Sequence, residues 1–539
     1  MADKIVSPGV FTKENDLSFL QQGVADIGAA FIGPFKEGAL VPTIVNSQAE
    51  FQQLFGSVDD TYYTPLAVQN YLREAGTATI CRVAGKTGYT ETAPLLLIAA
   101  SGSQSGALGV LFNTSGSAAG FTGTTISDLN GGGDFSIVLS GVSGYSASLE
   151  LSDDNDIESV FGTSAYGAKS AYSYAFFKEN GFIFNTGSYT ISSADGILSG
   201  SVTTSAFASN ISASVVVLGD QKFSGSTGTG EACEALTPYV QSQLISNARY
   251  NLFQIETITA GNASNTKVKV GISNVKAAGT TNGTDYGTFT VVVRDFNDTD
   301  KRKIVLETYS NVNLDPNSPN FISRVIGDRK RSIDSLGKIT ESGDWVNNSK
   351  YIRIVNVNEA APVQAVPFGH AAYQLPVNAG ASANLIPRAT FSTGSVADSS
   401  KYSGIDFDNN GDNKIYMKPV PVNAGNGANA VFSLDTIAGL TLSSTTSAEI
   451  AKRQFIIGFQ EGFDGMNPAT LIKSGADIIA GNSQGFDLTS ATTSGSVSYM
   501  KAINALFNTD EWDINMIVAP GVIQSKHTYI SNALVDLAE

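Results

Sequence analysis

Charged side chains are scarce in this sequence: Asp, Glu, Lys and Arg together make up 15% of the residues, and the formal net charge is −16. Neither Lys nor Arg occurs between Lys86 and Lys169. Because the excess acid is spread along the chain and is not gathered in a tail, a nucleic-acid groove or a surface for an anionic membrane is not expected. A basic surface on a partner protein is still allowed.

Long hydrophobic runs are also missing. No stretch reaches the roughly 18 to 20 apolar residues that cross a bilayer, and residues 1–11 lack the apolar core of a signal peptide. We therefore expect a soluble protein that assembles in a cytoplasm. In that reducing compartment Cys81 and Cys233, the two cysteines, are expected to be free, small structural residues.

Residues for catalysis are few. The sequence has two histidines, His370 and His527, and neither lies near a Gly-x-Ser-x-Gly elbow or a cysteine that an imidazole could activate. His370, in "PFGHAAY", is expected to be a packed or hydrogen-bonded histidine. The composition and the missing motifs together favour a structural role, and we expect neither enzyme activity nor a cofactor.

The sequence is rich in apolar and small polar residues instead. Apolar residues make up 42%, and there are 54 glycines, a balance typical of β-rich structural proteins. A chain of 539 residues is too long for one hydrophobic core. The predicted fold class is multi-domain, α+β and β-rich, with a discontinuous inner α/β domain that large β-rich insertion domains interrupt.

Changes of pattern along the chain predict four regions. Residues 1–21 form an N-terminal arm. Residues 22–90 and 451–539 carry strands and helices in alternation and form the discontinuous inner α/β domain. Short apolar runs between turn residues make 91–235 an outer all-β insertion, and residues 236–450 form a second insertion domain of α+β type.

The secondary structure is predicted from hydrophobic periodicity. Residues 24–85 should have the order β-α-α-β, with a first helix that begins at Asn46 or Ser47 and buries Phe51, Leu54 and Phe55. Four strands are expected in "NLFQIETI", "TKVKVGISNV", "GTFTVVVRDF" and "KIVLETYSNV", then a short helix in "SPNFISRVIGD". A strand, a helix and a strand are expected in "RQFIIGFQEGFDG", "SYMKAINALFN" and "INMIVAPGV".

The triplet Gly85-Lys86-Thr87 follows a predicted strand, where a phosphate-binding loop would stand. Such a loop needs Gly-x-x-x-x-Gly-Lys-Ser/Thr, but Ile80 occupies the position of the first glycine. The residues after the triplet, Gly88 and Tyr89, do not begin a good helix, so the dipole that would face a phosphate is missing. We interpret the triplet as a strand end that leaves for the insertion.

One loop offers the oxygen atoms that calcium prefers. Its candidate ligands are Asp406, Asp408, Asn410 and Asp412. Met417 stands where a calcium loop has its bidentate carboxylate, so a β-hairpin turn is the favoured interpretation and no metal is expected. A second acidic group is expected to solvate a loop rather than hold a cation, and it comprises Glu150, Asp153, Asp154, Asp156 and Glu158.

Several segments occur in an order that points to a family. They are "SPGVFTKEND", "GVADIGAAFIGPFKEG", "TATICRVAG" with its Arg-Val pair, "VVVRDFNDTD", "NLDPNSPNFISRVIGD" and "FQEGFDGMNPAT". Together they resemble the contractile tail sheath proteins of bacteriophages, in which the last segment often has a Gly-Gly-x-Asp-Gly turn. The Gly/Ser/Thr-rich insertion has no counterpart, which agrees with the variable outer domains of that family.

The resemblance implies a virion protein of the contractile tail. When full length, such subunits form a homo-oligomer of hexameric rings, stacked in a helical sheath around the tail tube protein, and they also contact baseplate and tail terminator proteins. The sheath contracts to drive the tube through the host envelope. Neither nucleic acid nor membrane is an expected partner.

The N-terminal arm is the main candidate for contacts between subunits. Its apolar residues Ile5, Val6, Val10 and Phe11 suit an extended strand that adds to the edge of a neighbour's sheet. Pro8 would interrupt that pairing locally. The alternative interpretation is a disordered terminus.

Two expectations remain. Sheath proteins continue well beyond the segment that matches "INMIVAPGV", whereas this sequence ends at Glu539, so we expect a fragment that does not form a linked lattice by itself. The alternative function is a surface-exposed, β-rich virion or cell-surface adhesin, for which a secretion signal or a terminal trimerisation segment would be expected.

Overall fold

The computed structural model describes residues 28–91, 230–371, 454–466 and 477–539, apart from positions 75, 244, 247, 249, 282–283, 299–301 and 335. Outside these ranges it describes the strands given below and the helical residues 159–160. The described elements make a mixed α/β protein in which strands far outnumber helices, as the β-rich class predicts.

The first described segment alternates strands and helices. Its elements are β1 (Ala29–Pro34), β2 (Thr43–Val45), α1 (Gln48–Phe55), α2 (Tyr63–Glu74), β3 (Ala78–Val83) and β4 (Tyr89–Glu91). The predicted β-α-α-β order is confirmed, and the short strand β2 is added to it.

Helix α1 begins at the residue that can cap it. Ser47 is the N-cap, and its hydroxyl accepts a hydrogen bond from the Glu50 amide at 3.1 Å. The Glu50 carboxylate in turn accepts from the Asn46 amide at 2.8 Å, so two amides at the helix start are satisfied. Phe51 and Phe55 are buried and Leu54 is half-buried against the same core, which confirms the predicted apolar face.

The next described elements are all strands apart from the helical pair at 159–160. They are β5 (Leu95–Ser101), β6 (Gln104–Asn113), β7 (Phe121–Ile126), β8 (Phe135–Leu139), β9 (Tyr145–Ala147), β10 (Ser173–Lys178), β11 (Thr203–Ala206), β12 (Ser212–Val217) and β13 (Gln221–Phe223). They form a five-stranded sheet (β10-β6-β5-β12-β11), a three-stranded sheet (β7-β8-β9) and a pair of β13 with β4. Every pairing is antiparallel, as predicted.

The described elements between residues 234 and 370 are mainly strands, with one short α-helix. These strands and the helix are β14 (Glu234–Leu236), β15 (Val240–Ser242), β16 (Asn251–Ala260), β17 (Val268–Lys276), β18 (Thr288–Asp295), β19 (Val305–Val312), α3 (Ile322–Ile326), β20 (Lys330–Ile333), β21 (Ile339–Ser342), β22 (Ile352–Val355) and β23 (Pro367–His370). The four predicted strands are β16 to β19, and the predicted short helix is α3.

The last described elements return to strands and helices. They are β24 (Pro421–Val422), β25 (Ala430–Val431), β26 (Phe455–Ile457), α4 (Ser494–Asn504), β27 (Met516–Val518) and α5 (Thr528–Ala538). The predicted strand, helix and strand are therefore β26, α4 and β27. No helix within the described ranges is long and apolar enough to cross a membrane.

The first core surrounds a four-stranded sheet with the order β2-β3-β1-β27. Strand β1 pairs in parallel with β3 and with β27, and Ala29 to Phe31 lie opposite Met516 to Val518. Alternate residues of β1 face two helical layers: Ala29 and Phe31 pack with α1 and α2, while Ala30 and Ile32 pack with α4 and α5. Because helices cover both faces, β1 and β3 are buried along their whole length.

The second core is shared by two sheets. One has the order β14-β16-β15-β23 with β22 beside β16, and the other has the order β19-β18-β17-β26. Their inner side chains form one apolar cluster, in which the rings of Phe253 and Phe289 stack 5.9 Å apart. Strand β26 belongs to this cluster through Phe455 and Ile457, although it follows residue 451, where the inner domain was expected to resume.

Candidate functional site

The two cores meet around the guanidinium group of Arg82, at the end of β3. The Arg82 side chain is 4% exposed. Its nitrogens donate to the carbonyl oxygens of Phe35 (3.1 Å), Lys36 (3.2 Å), Gly38 (2.9 Å) and Ala260 (2.6 Å) and to Asp464 Oδ1 (2.9 Å). We call this group of contacts the Arg82–Asp464 junction.

The junction suits the chemistry of arginine. A guanidinium group presents several N–H donors in one plane and keeps its charge when it is buried. Here the donors reach the loop after β1, the end of β16 and the turn after β26. A lysine could not make all these contacts, because its three donors sit on a single nitrogen.

Two glycines allow the segments to approach each other. Gly261 has a φ of 103°, and a Cβ there would lie 2.2 Å from Asp464 Oδ1. Gly465 has a φ of 75°, and a Cβ there would lie 2.1 Å from the carbonyl oxygen of Gly85. Both positions therefore need glycine for backbone conformation and for space.

The Gly85-Lys86-Thr87 triplet takes part in the same contact. The amides of Gly85, Thr87 and Gly88 donate to the carbonyl oxygens of residues 464 and 465 at 2.8 to 3.2 Å. The chain then enters strand β4 instead of a helix. The interpretation as a strand end is confirmed, and three amides that a phosphate loop would use are already bonded within the protein.

A hairpin forms a second connection between the cores. Strands β20 and β21 leave the second core, and Ile339 packs against the helices of the first core. Gly337, with a φ of 89°, lies so close to Asn504 that a Cβ there would be 2.2 Å from the Asn504 Cβ. Arg331 forms ion pairs with Glu341 at 3.0 Å and with Glu511 after α4.

An ionic cluster lies beside this hairpin. Lys330 Nζ is 3.2 Å from a Glu234 carboxylate oxygen and 2.7 Å from one of Glu256. Arg353 contacts the same two carboxylates at 3.2 and 2.5 Å. Burial opposes ionisation of Glu234, but Lys330 and Arg353 hold its pKa below the ordinary value. The cluster is electrically balanced, with two cations on two acids.

A buried charge triad supports the turn that leads into β19. Lys269 and Asp298 have side chains that are 0% exposed, and their charged atoms are 2.7 Å apart. Arg294 donates to both Asp298 oxygens at 2.8 Å, and the Ile304 amide donates to one of them at 2.7 Å. Buried charges persist when they are paired and hydrogen-bonded in this way.

Two sheets end in strands whose outer edges have no partner within the described ranges. Strand β27 ends the first sheet, and its three residues are all half-buried. Strand β19 ends a sheet of the second core and spans eight residues. The start of β19 exposes apolar side chains, with Val305 50% and Leu306 37% exposed, after Ile304 at 45%.

Several sequence candidates lie outside the described residues. They are the arm residues Ile5, Val6, Val10 and Phe11, the calcium-loop residues Asp406, Asp408, Asn410 and Asp412, and the acidic set Glu150, Asp153, Asp154, Asp156 and Glu158. In the part of the chain that the structure does describe, no group of three or more His, Cys, Asp and Glu side chains could hold a metal ion.

The histidines and cysteines have structural environments. His370 is 0% exposed, and its Nδ1 lies 2.7 Å from the carbonyl oxygen of Ala371, which confirms the packed histidine. The Nδ1 of His527, just before α5, accepts from the Ile523 amide at 3.0 Å. Cys81 and Cys233 form no disulfide, as predicted, and Cys81 is buried while Cys233 is half-buried.

No family model matches the sequence, and no curated protein matches it. The residues of the Arg82–Asp464 junction were not predicted as a site, although both stand in segments that carried the resemblance: Arg82 in the Arg-Val pair and Asp464 in "FDG". The presence of both residues in those segments was the sequence signal that could have identified the junction.

Proposed function

We propose that this chain is a structural subunit of a contractile tail sheath and not an enzyme. The subunits polymerise as stacked hexameric rings around the tail tube protein in a virion, and the assembly contracts to drive the tube through the host envelope. Baseplate and tail terminator proteins are the further partners, and neither nucleic acid nor membrane is one.

The observation that carries this proposal is the contact between Arg82 and Asp464. The two residues are 382 positions apart in the sequence, and each stands in a short segment that resembles a sheath segment. Two short likenesses in distant parts of the sequence support each other when their residues form one ion pair, with Arg82 buried and Asp464 30% exposed. The pairing of β1 with β27 adds support, because it joins the first and last of these regions in one sheet.

The proposed layout keeps the four regions of the sequence. Residues 22–90 and 451–539 supply the inner α/β domain, residues 91–235 the outer β insertion and residues 236–450 the second insertion domain. One strand departs from these bounds in the proposal: β26 pairs with β17, so we place residues 455–457 with the second domain. The inner domain then resumes after that strand.

A subunit that transmits force between rings has to move as one body. The Arg82–Asp464 junction and the β20–β21 hairpin connect the two cores at separate places. Pulling the cores apart would break the Arg82 hydrogen bonds to Ala260 and Asp464, and hydrogen bonds that involve a charged group contribute about 1.5–3 kcal/mol each. This connection is what a sheath subunit needs to rotate without unfolding.

The arm supplies the contact between subunits in this proposal. Residues 1–21 add a strand to the edge of a sheet in a neighbouring copy. The outer edge of β19 is the best acceptor, because it is longer than that of β27 and exposes apolar side chains at Val305 and Leu306. Apolar arm residues such as Val10 and Phe11 would cover those side chains.

The test compares three variants, each made in the full-length protein, in assembly with the tail tube protein. Deletion of residues 1–20 and the substitution Leu306→Lys should each reduce the sedimented, ring-forming fraction strongly, because a lysine on an edge strand blocks strand addition. Leu336→Lys is the matched control: Leu336 is 79% exposed in the β20–β21 turn, away from the proposed edge, and its substitution should leave assembly unchanged.

One outcome contradicts the arm mechanism, and a second contradicts only the proposed acceptor edge. Normal assembly after the deletion would show that the arm is not needed. Normal assembly of Leu306→Lys together with failure of the deletion would keep the arm and move its acceptor to another edge, with β27 next in line.

A further inference from the structure

A cleft with a volume of about 270 Å³ lies where the two cores meet. Its walls come from the residues after β3, from the segment around β14, from β20 and from helix α4. The lysine of the Gly85-Lys86-Thr87 triplet lines it, opposite Lys501 and Ser498 of α4. The proposed sheath function does not use this cleft.

Most charges around the cleft are balanced by close partners. Arg82 is neutralised by Asp464. Lys330 and Arg353 share Glu234 and Glu256, two cations for two acids. Arg331 also lines the cleft, and it forms ion pairs with Glu341 and Glu511, which are not part of the lining.

The charges are not balanced at one place in the cleft, where a single carboxylate forms ion pairs with two ammonium groups. Glu231 lies 3.3 Å from Lys86 Nζ and 3.3 Å from Lys501 Nζ. All three side chains are partly open to solvent, at 37%, 32% and 28% exposure respectively. Among the described residues, this part of the cleft therefore has two ammonium groups and one carboxylate, in a protein whose formal net charge is −16.

We propose that the cleft binds a small oxyanion, such as inorganic phosphate, between Lys86 and Lys501. The Ser498 hydroxyl, three residues before Lys501 on α4 and in the same lining, can donate a further hydrogen bond. Glu231 competes with the anion for the two ammonium groups. Bound anion would tie the end of β3 to α4, beside the Arg82–Asp464 junction.

The chemistry of the walls favours a small tetrahedral anion. Two ammonium groups and a hydroxyl offer several donors in different directions, and an oxyanion has enough acceptor oxygens to use them. A cavity of about 270 Å³ is smaller than the roughly 300 to 1,000 Å³ of pockets for larger ligands. A nucleotide is also disfavoured because the Gly85, Thr87 and Gly88 amides are already bonded.

Because Glu231 competes with the anion, the proposal predicts the direction in which a substitution of Glu231 changes the affinity for phosphate. Isothermal titration of the protein with inorganic phosphate in low-salt buffer should show saturable binding that weakens as chloride is added. Glu231→Gln should tighten phosphate binding by about tenfold, because it removes the competing charge. The double variant Lys86→Gln/Lys501→Gln should lose binding, and Lys338→Gln, an exposed lysine on the hairpin, should bind like the parent.

Thermal unfolding of each variant shows whether it is folded, and the single substitution Lys86→Gln provides a milder version of the double variant. The proposal is overturned if neither the parent nor Glu231→Gln binds phosphate. It is also overturned if binding persists at parental affinity without both lysines, or if ADP binds more tightly than phosphate at this cleft.

Discussion

At the scale of single residues, the buried triad of Lys269, Arg294 and Asp298 makes the sharpest prediction about stability. Asp298 is the only acid in the triad and serves both cations. Its replacement leaves two buried positive charges together, whereas replacement of Lys269 leaves Asp298 paired with Arg294. The two substitutions should therefore differ in their cost.

We expect Asp298→Ala to lower the free energy of unfolding by about 3–5 kcal/mol. Lys269→Met, which keeps the volume of the side chain, should cost only about 1–2 kcal/mol. Chemical denaturation monitored by fluorescence measures both values. A cost of Lys269→Met equal to or above that of Asp298→Ala would contradict this account of the triad.

The same residue predicts a pH dependence. Burial opposes ionisation of Asp298, but hydrogen bonds from Arg294 and Lys269 hold its pKa below the ordinary value of 3.8. Since the folded pKa is depressed, the stabilisation is present above pH 3.8 and is lost as the pH falls through the folded pKa. The stability gap between the parent and Asp298→Ala should be constant near neutral pH and shrink below about pH 4; a gap that widens in acid would contradict the sign.

The two cysteines should differ in reactivity. Burial raises the pKa of the Cys81 thiol to about 12, so only about one molecule in ten thousand carries the thiolate at pH 8. Cys233 is half-buried and lines the cleft. In Cys233→Ser, labelling by a disulfide reagent should wait for unfolding, and the parent should label first at Cys233. Rapid labelling of folded Cys233→Ser would contradict the burial of Cys81.

At the scale of elements, the β20–β21 hairpin can be tested by its contact with α4. Gly337 has a positive φ and stands against Asn504, while Gly279 has a φ of 72° and nothing within 4 Å of an added Cβ. Alanine at Gly279 therefore introduces backbone strain alone, and alanine at Gly337 introduces strain and a clash.

We expect Gly279→Ala to cost about 1 kcal/mol and Gly337→Ala to cost about 1–3 kcal/mol more. Thermal or chemical unfolding of the two variants gives the difference. Equal costs would mean that the hairpin is not held against α4, and that the Arg82–Asp464 junction alone connects the cores.

Local elements were predictable because their signals are local. The N-cap at Ser47 and the spacing of Phe51 and Phe55 specify α1 within a dozen residues, and the alternating apolar residues of β16 to β19 specify strands. Which strands pair with each other was harder to predict. The sequence of β26 predicts a strand but not the sheet it joins, and only its pairing with β17 and its apolar contacts place it in the second core.

The candidate site was harder to predict than the fold. Arg82 looks like a charged residue at the end of a strand, where exposure is the usual outcome. Its burial depends on carbonyl groups from two other segments and on the Asp464 carboxylate, none of which leaves a periodic signal near residue 82. The need for glycine at positions 261 and 465 was equally hard to predict, because it depends on the close approach of segments that are distant in the sequence.

At the scale of the whole molecule, the first and last regions of the chain share a sheet, and a second core is connected to them at two places. In the proposed sheath this connected body is the rigid unit, and arms and edges provide the contacts between copies. The strand-rich interval between residues 95 and 223 would then vary without disturbing either core, because its described strands pair only with one another and with β4.

The most direct measurement is electron cryomicroscopy of particles that contain this polypeptide. The account predicts that density for the chain repeats in sixfold rings stacked helically around a tail tube, and that the body with the β1–β27 sheet keeps its shape in extended and contracted particles. Density for the chain in isolated fibres or surface spikes, with no ring around a tube, would contradict it and favour the adhesin.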